Sequence, residues 1–400
     1  MKLYLFNPDH DLALARSEGR YDVLKSASRF AADCASLPLW YADEGASVLA
    51  ECDESWRADV VRRFPALTNV DFVLSAVGAS PIVPWGWNVH LRNILTSRGA
   101  VDLPNDETLA LVKRLSHRRV VAEALECLRL SVETALPDIP RELFSMQEVD
   151  TASRNCLPLI FKAPWSGSGK GLFRLADSVP PGFGGWARNI IECQHSVMVE
   201  RFYDKVQDFA MEFRVDENGV SFAGYSLFST SVRGAYACNE LLSDEMIVAR
   251  LNRYVSTEIL EQVKTGLLRF FNERYFPVYR GYLGVDMMVY VENGAFRLHP
   301  CVEINARMTM GVVARLFYDR FVEPGMTGSF EVNYFAKAED MARFVHRMSH
   351  EYPLNTENGR IRAGWLLLCP VTDASQYAVS VLVGEKKAMK PFFLKKSVFL

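Results

Sequence analysis

No CxxC pair occurs in this sequence. Its eight cysteines (Cys34, Cys52, Cys127, Cys156, Cys193, Cys238, Cys301 and Cys369) are scattered singly, which removes zinc ribbons and thioredoxin-type motifs. In a chain of this size they read as reduced, mostly buried small side chains, and so as those of a cytoplasmic protein. Long apolar runs are missing too. Nothing approaches the ~20 residues a membrane helix needs, and the opening MKLYLF breaks at Asn7-Pro8-Asp9, short of a signal-peptide core. Basic charge is not in excess: 45 Lys+Arg against 48 Asp+Glu leave a formal charge of −3, so duplex nucleic acid finds no electrostatic footprint. There is no GxSxG nucleophile motif, no evident Cys-His-Asn set, no internal repeat and no heptad run. What remains is 400 residues, 49% hydrophobic and 23% charged, a globular chain of two or three packed units.

Residues 1–115 read as a small α/β unit. A short apolar strand at 3–6 precedes a helix at 11–16 that Asp9 or Asp11 can cap. A second apolar run, 71–77, leads to Ile82-Val83, then Pro84-Trp85-Gly86-Trp87-Asn88, then an amphipathic helix at 90–96. Strand, loop, helix is the rhythm of a parallel sheet. Residues 106–129 carry helical periodicity in two pieces, with Ser116 placed to cap the second. Beyond residue 155 the texture changes to hairpins, with strands at 157–163, 172–175, 196–202, 209–215 and 220–226 and a helix at 257–274. The second unit is therefore expected to be α+β, with mostly antiparallel strands.

Two segments carry chemistry. In PLIFKAPWSGSGKGLFR, Gly167, Gly169 and Gly171 let backbone N–H groups close on phosphate oxygens, and Lys162 and Lys170 supply countercharge. It is not a Walker A loop, since Pro164 stands where the first glycine belongs. Nor is it a dinucleotide fingerprint, since a strand rather than a helix follows. The second segment is the hairpin 283–304, turning at Asn293-Gly294. A tight turn there sets Asp286 opposite Cys301, with Glu303 one rung further along the same face, and Pro300 hints at a bulge. Glu303 and Asn305, two apart, share that face. Carboxylates at this spacing suit one or two Mg²⁺ ions.

Lys162, the glycine loop, Val197-Met198-Val199-Glu200-Arg201-Phe202, Asp208, Asp286 and then Glu303-Ile304-Asn305-Ala306-Arg307 follow in an order that resembles the ATP-grasp superfamily, carboxylate–amine ligases in particular. The resemblance covers roughly residues 80–315. It implies an α/β plus α+β fold, a small parallel-sheet N-terminal domain followed by an ATP-grasp fold. The implied division is 1–115 as a pre-ATP-grasp domain, 116–200 as the subdomain with the glycine loop, 201–335 as the subdomain with the metal site, and 336–400 as a helix and strands packed on the grasp. Ser116-His117-Arg118 stands where members often have Asp-Lys, and the interval from Asp286 to Glu303 is about four residues longer than common.

By the same resemblance, Lys162 would meet the α- and β-phosphates, and Ser166, Gly167, Ser168, Gly169, Lys170 and Gly171 would form the mobile loop over the phosphates. Glu200 and the backbone of Arg201, Phe202 and Tyr203 would hold adenine, and Asp208 the ribose. Asp286, Glu303 and Asn305 would bind Mg²⁺, while Arg307, helped by Lys170, would steady the transferring phosphoryl group. The expected activity joins a small-molecule or peptide carboxylate to an amine (or thiol) through an acylphosphate, with ATP and Mg²⁺. A small-molecule kinase or a non-catalytic nucleotide-binding regulator on the same fold stays open. For the substrate, Arg233 is a candidate cation. His10 and Trp87 sit on loops that leave strands of the first domain, where Trp85 and Trp87 could equally be core. His346 and His350 lack a third metal ligand, and His299 reads as structural.

Overall fold

Three-residue strands are enough to open the chain because the first of them, Leu3–Leu5, is buried throughout. In the computed structural model, which describes residues 1–16, 21–155, 157–167, 169, 171–230 and 236–384, Leu3–Leu5 is the hub of a four-stranded parallel sheet. Ser47–Leu49 pairs on one side of it, with Asp71–Val73 beyond, and Ile82–Pro84 pairs on the other. The chain thus reverses its direction of growth at the first strand. The loops leaving Leu5 and Pro84 meet at the carboxyl edge of this switch point, where Asn7 Nδ2 donates to the Gly86 carbonyl at 2.8 Å. The apolar run expected through Val77 stops at Val73, since Leu74 and Val77 are exposed and have no neighbouring strand to cover them.

A second sheet, antiparallel, takes the order Arg141–Leu143, Val197–Arg201, Leu159–Lys162, Leu172–Leu175. Helices Met146–Asn155 and Phe183–Gln194 cover it, with Phe161 and Phe183 in contact at 4.7 Å between ring centroids.

The third sheet has nine strands. From one edge they are Ala295–Asn305, Gly281–Glu292, Asp204–Asp216, Gly219–Thr230, Tyr236–Leu241, Gly328–Tyr334, Tyr377–Val383, Arg360–Leu367 and Asn355–Glu357. Strict alternation divides the first of these. Phe209, Met211, Phe213, Leu283, Val285 and Met287 face a core shared with helices Arg119–Arg129 and Thr257–Arg274. The residues between them face the opposite side, toward the second sheet and helix Met310–Phe321. That helix is the keystone. Val313, Phe317 and Phe321 join the nine-stranded sheet to Tyr4, Phe6, Trp40 and Val48 of the first unit in one apolar cluster. Trp40 lies 5.4 Å from Phe317 and from Phe321, and its Nε1–H donates to the Leu368 carbonyl at 2.7 Å. Among the described residues, no helix is long and apolar enough to cross a membrane.

Two capping expectations change. Ser116 ends helix Asp106–Leu115, its hydroxyl turned back to the Val112 carbonyl at 2.9 Å, and the next helix begins after Arg118. Asp9 occupies the N-cap position of His10–Leu14 without a side-chain bond, and Asp11 is spent elsewhere.

Candidate active site

Lys162 ends its strand beside Glu200, and the two side chains form an ion pair that is 8% exposed on either side. Lys162 Nζ also reaches the Val302 carbonyl at 3.5 Å, so it ties the second sheet to the hairpin of the third. Arg118 makes the parallel tie. One nitrogen donates to the Ala163 carbonyl and to Ser166 Oγ (2.8 Å), and the other to Glu303 Oε1 (2.6 Å). The residue standing in place of a lysine therefore clamps the root of the glycine loop onto the hairpin that carries Asp286 and Glu303.

Within that loop, Gly167 and Gly171 answer to close approach. A Cβ on Gly167 would sit 2.9 Å from Asp11 Oδ2, and one on Gly171, at φ +91°, would sit 2.7 Å from Ser166 Cβ. Gly169 also has positive φ, at 72°. Ser168 and Lys170, expected over the phosphates, and Arg233, expected at the substrate, lie outside the described residues.

The hairpin corrects the expected register. From Glu292↔Ala295 to Met288↔His299 the pairing is regular, and the next pair is Asp286↔Glu303. Met287 alone thus faces Pro300, Cys301 and Val302. Pro300 has no N–H to give the ladder, and the bulge forms there. Asp286 consequently opposes Glu303 directly rather than Cys301. Asn305 Nδ2 reaches Asp286 Oδ2 at 3.4 Å. Burial, then the facing Glu303, push the Asp286 carboxyl up to about 7.

Arg307 continues the row. Its Nε and Nη2 grip Asp11 (2.9 and 2.7 Å), Nη2 also meets Asn305 Oδ1 (2.9 Å), and Nη1 meets the Met308 carbonyl (3.0 Å). Asp11, from the first unit, is thereby brought against a residue 296 positions away. Burial would raise its carboxyl, but Arg307 overrides this and holds it below the ordinary value.

One buried acid beside these carboxylates escaped the sequence reading. Glu212 stands on the strand next to Gly284, 1% exposed, with the Thr309 hydroxyl as a hydrogen-bond partner at 3.4 Å. Burial and then Asp286 push its carboxyl well above the usual range. Its signal was available: it lies four residues after Asp208, hence on the same strand face, amid apolar neighbours.

Other expected residues are placed as follows. Asp208 accepts from Lys205 (2.5 Å) and from the Thr230 hydroxyl (3.0 Å). Arg201 pairs with Glu292 at 2.7 Å, and the Phe202 ring lies under Arg174 at 3.8 Å. The Phe202 N–H already continues the ladder to the Pro158 carbonyl (3.0 Å), so this hinge amide is taken. The Tyr203 hydroxyl accepts from the Asp138 N–H at 3.2 Å, and its ring packs on Tyr290 (4.3 Å) and His299 (5.8 Å). His10 is fully buried, its ring against Gly86, where a Cβ would come within 2.5 Å. Burial pushes that imidazole down to about 4. Trp85 is core, and the Met308 N–H donates to its carbonyl at 2.9 Å; Trp87 packs half-buried on the small sheet.

No family model matches the chain, and no curated protein matches it in sequence. Solved structures do match in shape. N5-carboxyaminoimidazole synthetase from Staphylococcus aureus, complexed with ADP, is 11% identical over 96% of this chain and 93% of that one, with a TM-score of 0.50. The biotin carboxylase domain of Hydrogenobacter thermophilus 2-oxoglutarate carboxylase, with MgADP, ADP and bicarbonate, is 11% identical over 96% and 86%, TM-score 0.51. Carboxyaminoimidazole ribonucleotide synthase from Aspergillus clavatus, with ATP, is 12% identical over 96% and 93%, TM-score 0.50. The chain has the ATP-grasp fold. The second sheet meets the open face of the third where Lys162, Arg118 and the hairpin carboxylates converge.

As a metal site, the donors are hard oxygens: two facing carboxylates and an amide. Asp286, half-buried and without a cation of its own among the described ion pairs, is the group a divalent ion would relieve. Among the described residues no group of three acidic, histidine or cysteine side chains is gathered; the hard-oxygen donors themselves are of the kind Mg²⁺ takes, with one or two protein carboxylates and the rest of its octahedron filled by phosphate and water.

Proposed function

We propose that this protein is an ATP- and Mg²⁺-dependent ligase that joins a carboxylate to an amine (or thiol) through an acylphosphate, releasing ADP and phosphate. The observation that carries the reading is the convergence, on one face, of the Lys162–Glu200 pair, the Arg118–Glu303 pair and the Asp286–Asn305–Arg307 row. The structural neighbours above, two of them crystallised with ADP or MgADP and one with ATP, support it.

In this reading Lys162 binds nucleotide phosphate, the loop from Ser166 to Gly171 excludes water, and Asp286, Glu303 and Asn305 hold Mg²⁺. The ion would offset phosphate charge and polarise the transferring group. Arg307 presents its guanidinium to the phosphoryl in flight, and Asp11 sets the angle at which it does so. The chain needs no covalent nucleophile of its own, because positioning and preorganised charge supply most of phosphoryl-transfer catalysis.

Two measurements test it. Mg·ATP at a hundredfold excess over its dissociation constant should stabilise the fold by ~2.7 kcal/mol in a thermal melt. ADP release should then rise with a carboxylate and an amine supplied together. A melt that responds to a dinucleotide and not to Mg·ATP would overturn the proposal.

A further inference from the structure

Away from the grasp cleft, at the far end of helix Met310–Phe321, a cavity of about 810 Å³ opens between three separated parts of the chain. Helix Glu54–Arg63 brings Arg62 and Arg63, the end of Met310–Phe321 brings Arg320, and the hairpin turn before Arg360–Leu367 brings Arg360. Among the described residues, no acidic side chain lines it. Arg62 and Arg63 share one carboxylate, Asp59. Arg320 donates to the backbone carbonyls of Trp40 and Ala42, and Arg360 to those of Val322 and Asp319. Asp43, the acidic group that acts on Arg320, is itself paired with Lys2 at 2.6 Å.

Carbonyl contacts explain why Arg320 and Arg360 lie where they do, but among the described ion pairs neither has a carboxylate of its own. Four guanidiniums thus surround one hollow with a single carboxylate in contact. A guanidinium's planar fork matches phosphoryl oxygens two at a time. The rest of the wall is Thr356, Asn358, Gly359, Pro65 and Ala66, with no aromatic ring for a base to stack on. The volume suits a small ligand rather than a macromolecular face. The turn at Asn358 and Gly359 (φ 51° and 73°) brings Gly359 against the ring of Pro65, 3.6 Å from the position of a Cβ.

We propose that this groove is a second ligand site, separate from the nucleotide cleft, for a compact anion bearing two or more phosphoryl groups. The inference does not rest on the ligase reading, because none of its residues belongs to the cleft.

The probe is inorganic pyrophosphate, titrated calorimetrically into the full-length protein, with citrate as the carboxylate control and poly-glutamate as the acidic-polypeptide control. Arg62 has a side chain 70% exposed, so Arg62→Glu tests charge without touching the core, and Arg63→Gln serves as an independent second variant. Saturable pyrophosphate binding is expected in the wild type. It should persist in Lys162→Ala, fall at least tenfold in Arg62→Glu, fall less in Arg63→Gln, and weaken as salt is raised. The Mg·ATP melting shift should be the same in both groove variants as in the wild type. Any of four results overturns the proposal: no saturable binding, binding lost in Lys162→Ala but kept in Arg62→Glu, citrate binding as tightly as pyrophosphate, or poly-glutamate binding where pyrophosphate does not.

Discussion

The contact between Asp11 and Arg307 admits a quantitative test, because it joins the first unit to the grasp through two charges that are 18% and 15% exposed. Removing one partner leaves the other charge buried and unpaired, which costs about 3–5 kcal/mol. Asp11→Ala and Arg307→Met should each lose stability on that scale. The double variant should lose much less than their sum, with a coupling of about 2–3 kcal/mol. Urea unfolding at pH 7, followed by tryptophan fluorescence, measures all four corners of the cycle. The pH dependence adds a test of sign. Burial drives the Asp11 carboxyl up and Arg307 pulls it down, with the guanidinium winning in the wild type. The wild-type contribution is therefore present above the unfolded value of about 3.8 and is lost only as pH falls through the still lower folded value. In Arg307→Met burial, the largest influence on Asp11, is opposed only by the smaller pulls of His10 and Arg118, and the folded carboxyl is expected to titrate above its unfolded value. That variant should regain part of its deficit as pH is lowered from 7 toward 4. A coupling below about 0.5 kcal/mol, or an Arg307→Met deficit indifferent to pH, would refute the claim that this pair is one buried unit.

Glu303→Gln keeps an acceptor for Arg118 but removes a charge facing Asp286; turnover should collapse while the urea midpoint moves little. Lys162→Ala should mainly weaken nucleotide affinity, read as a smaller Mg·ATP melting shift. Gly311→Ala places a Cβ against Glu212 and 2.6 Å from Ser226 Oγ, and overpacking of this kind should cost about 1–3 kcal/mol of stability. His299 is fully buried with neither ring nitrogen hydrogen-bonded, and burial, then Lys162, push it down to about 3. It unfolds into water with an ordinary value near 6.5, so it favours folding less and less as pH falls from 6.5 toward 3. His299→Leu should make the pH slope of stability shallower by one proton, about 1.4 kcal/mol per pH unit near pH 5, in urea titrations from pH 7 to 4.5.

Sequence pattern revealed the fold where the signal was local. The Asn293-Gly294 turn, with both residues at positive φ, fixed the tip of the metal-site hairpin, and two-residue alternation told its core face from its open face. The bulge at Pro300 was visible as a missing donor, but its size was not. A proline states that a ladder bond is absent, whereas the two residues added opposite Met287 depend on how Cys301 and Ile304 find the core. Glu212 was missed because a single acid in an apolar strand has no motif, only a face. Asp11 was read as a helix cap for the same reason that any acid before a helix is; its partner lies 296 residues on, and no local rule reaches that far.

The first unit owes its place to chemistry as well as to packing. Its switch-point loops stand at the carboxyl edge of the small sheet, the position where open α/β sheets receive ligands, yet here that edge meets the chain itself. Asp11 takes Arg307, the Trp85 carbonyl takes the Met308 N–H, and Gly167 of the glycine loop rests on the Asp11 carboxylate. A guanidinium has five N–H groups. Asp11 engages Nε and one Nη2 hydrogen, Asn305 takes the other Nη2 hydrogen, and Met308 takes one on Nη1. One N–H of Arg307 is then left without a partner among the described residues, and in the proposed reading it is the one that meets an incoming phosphoryl oxygen, in a direction that four contacts have fixed in advance. Orientation settled before the reaction is what makes a charge effective in a transition state. On the proposed function, a carboxylate on a separate unit, more than half the chain away in sequence, is part of how this site aims its arginine.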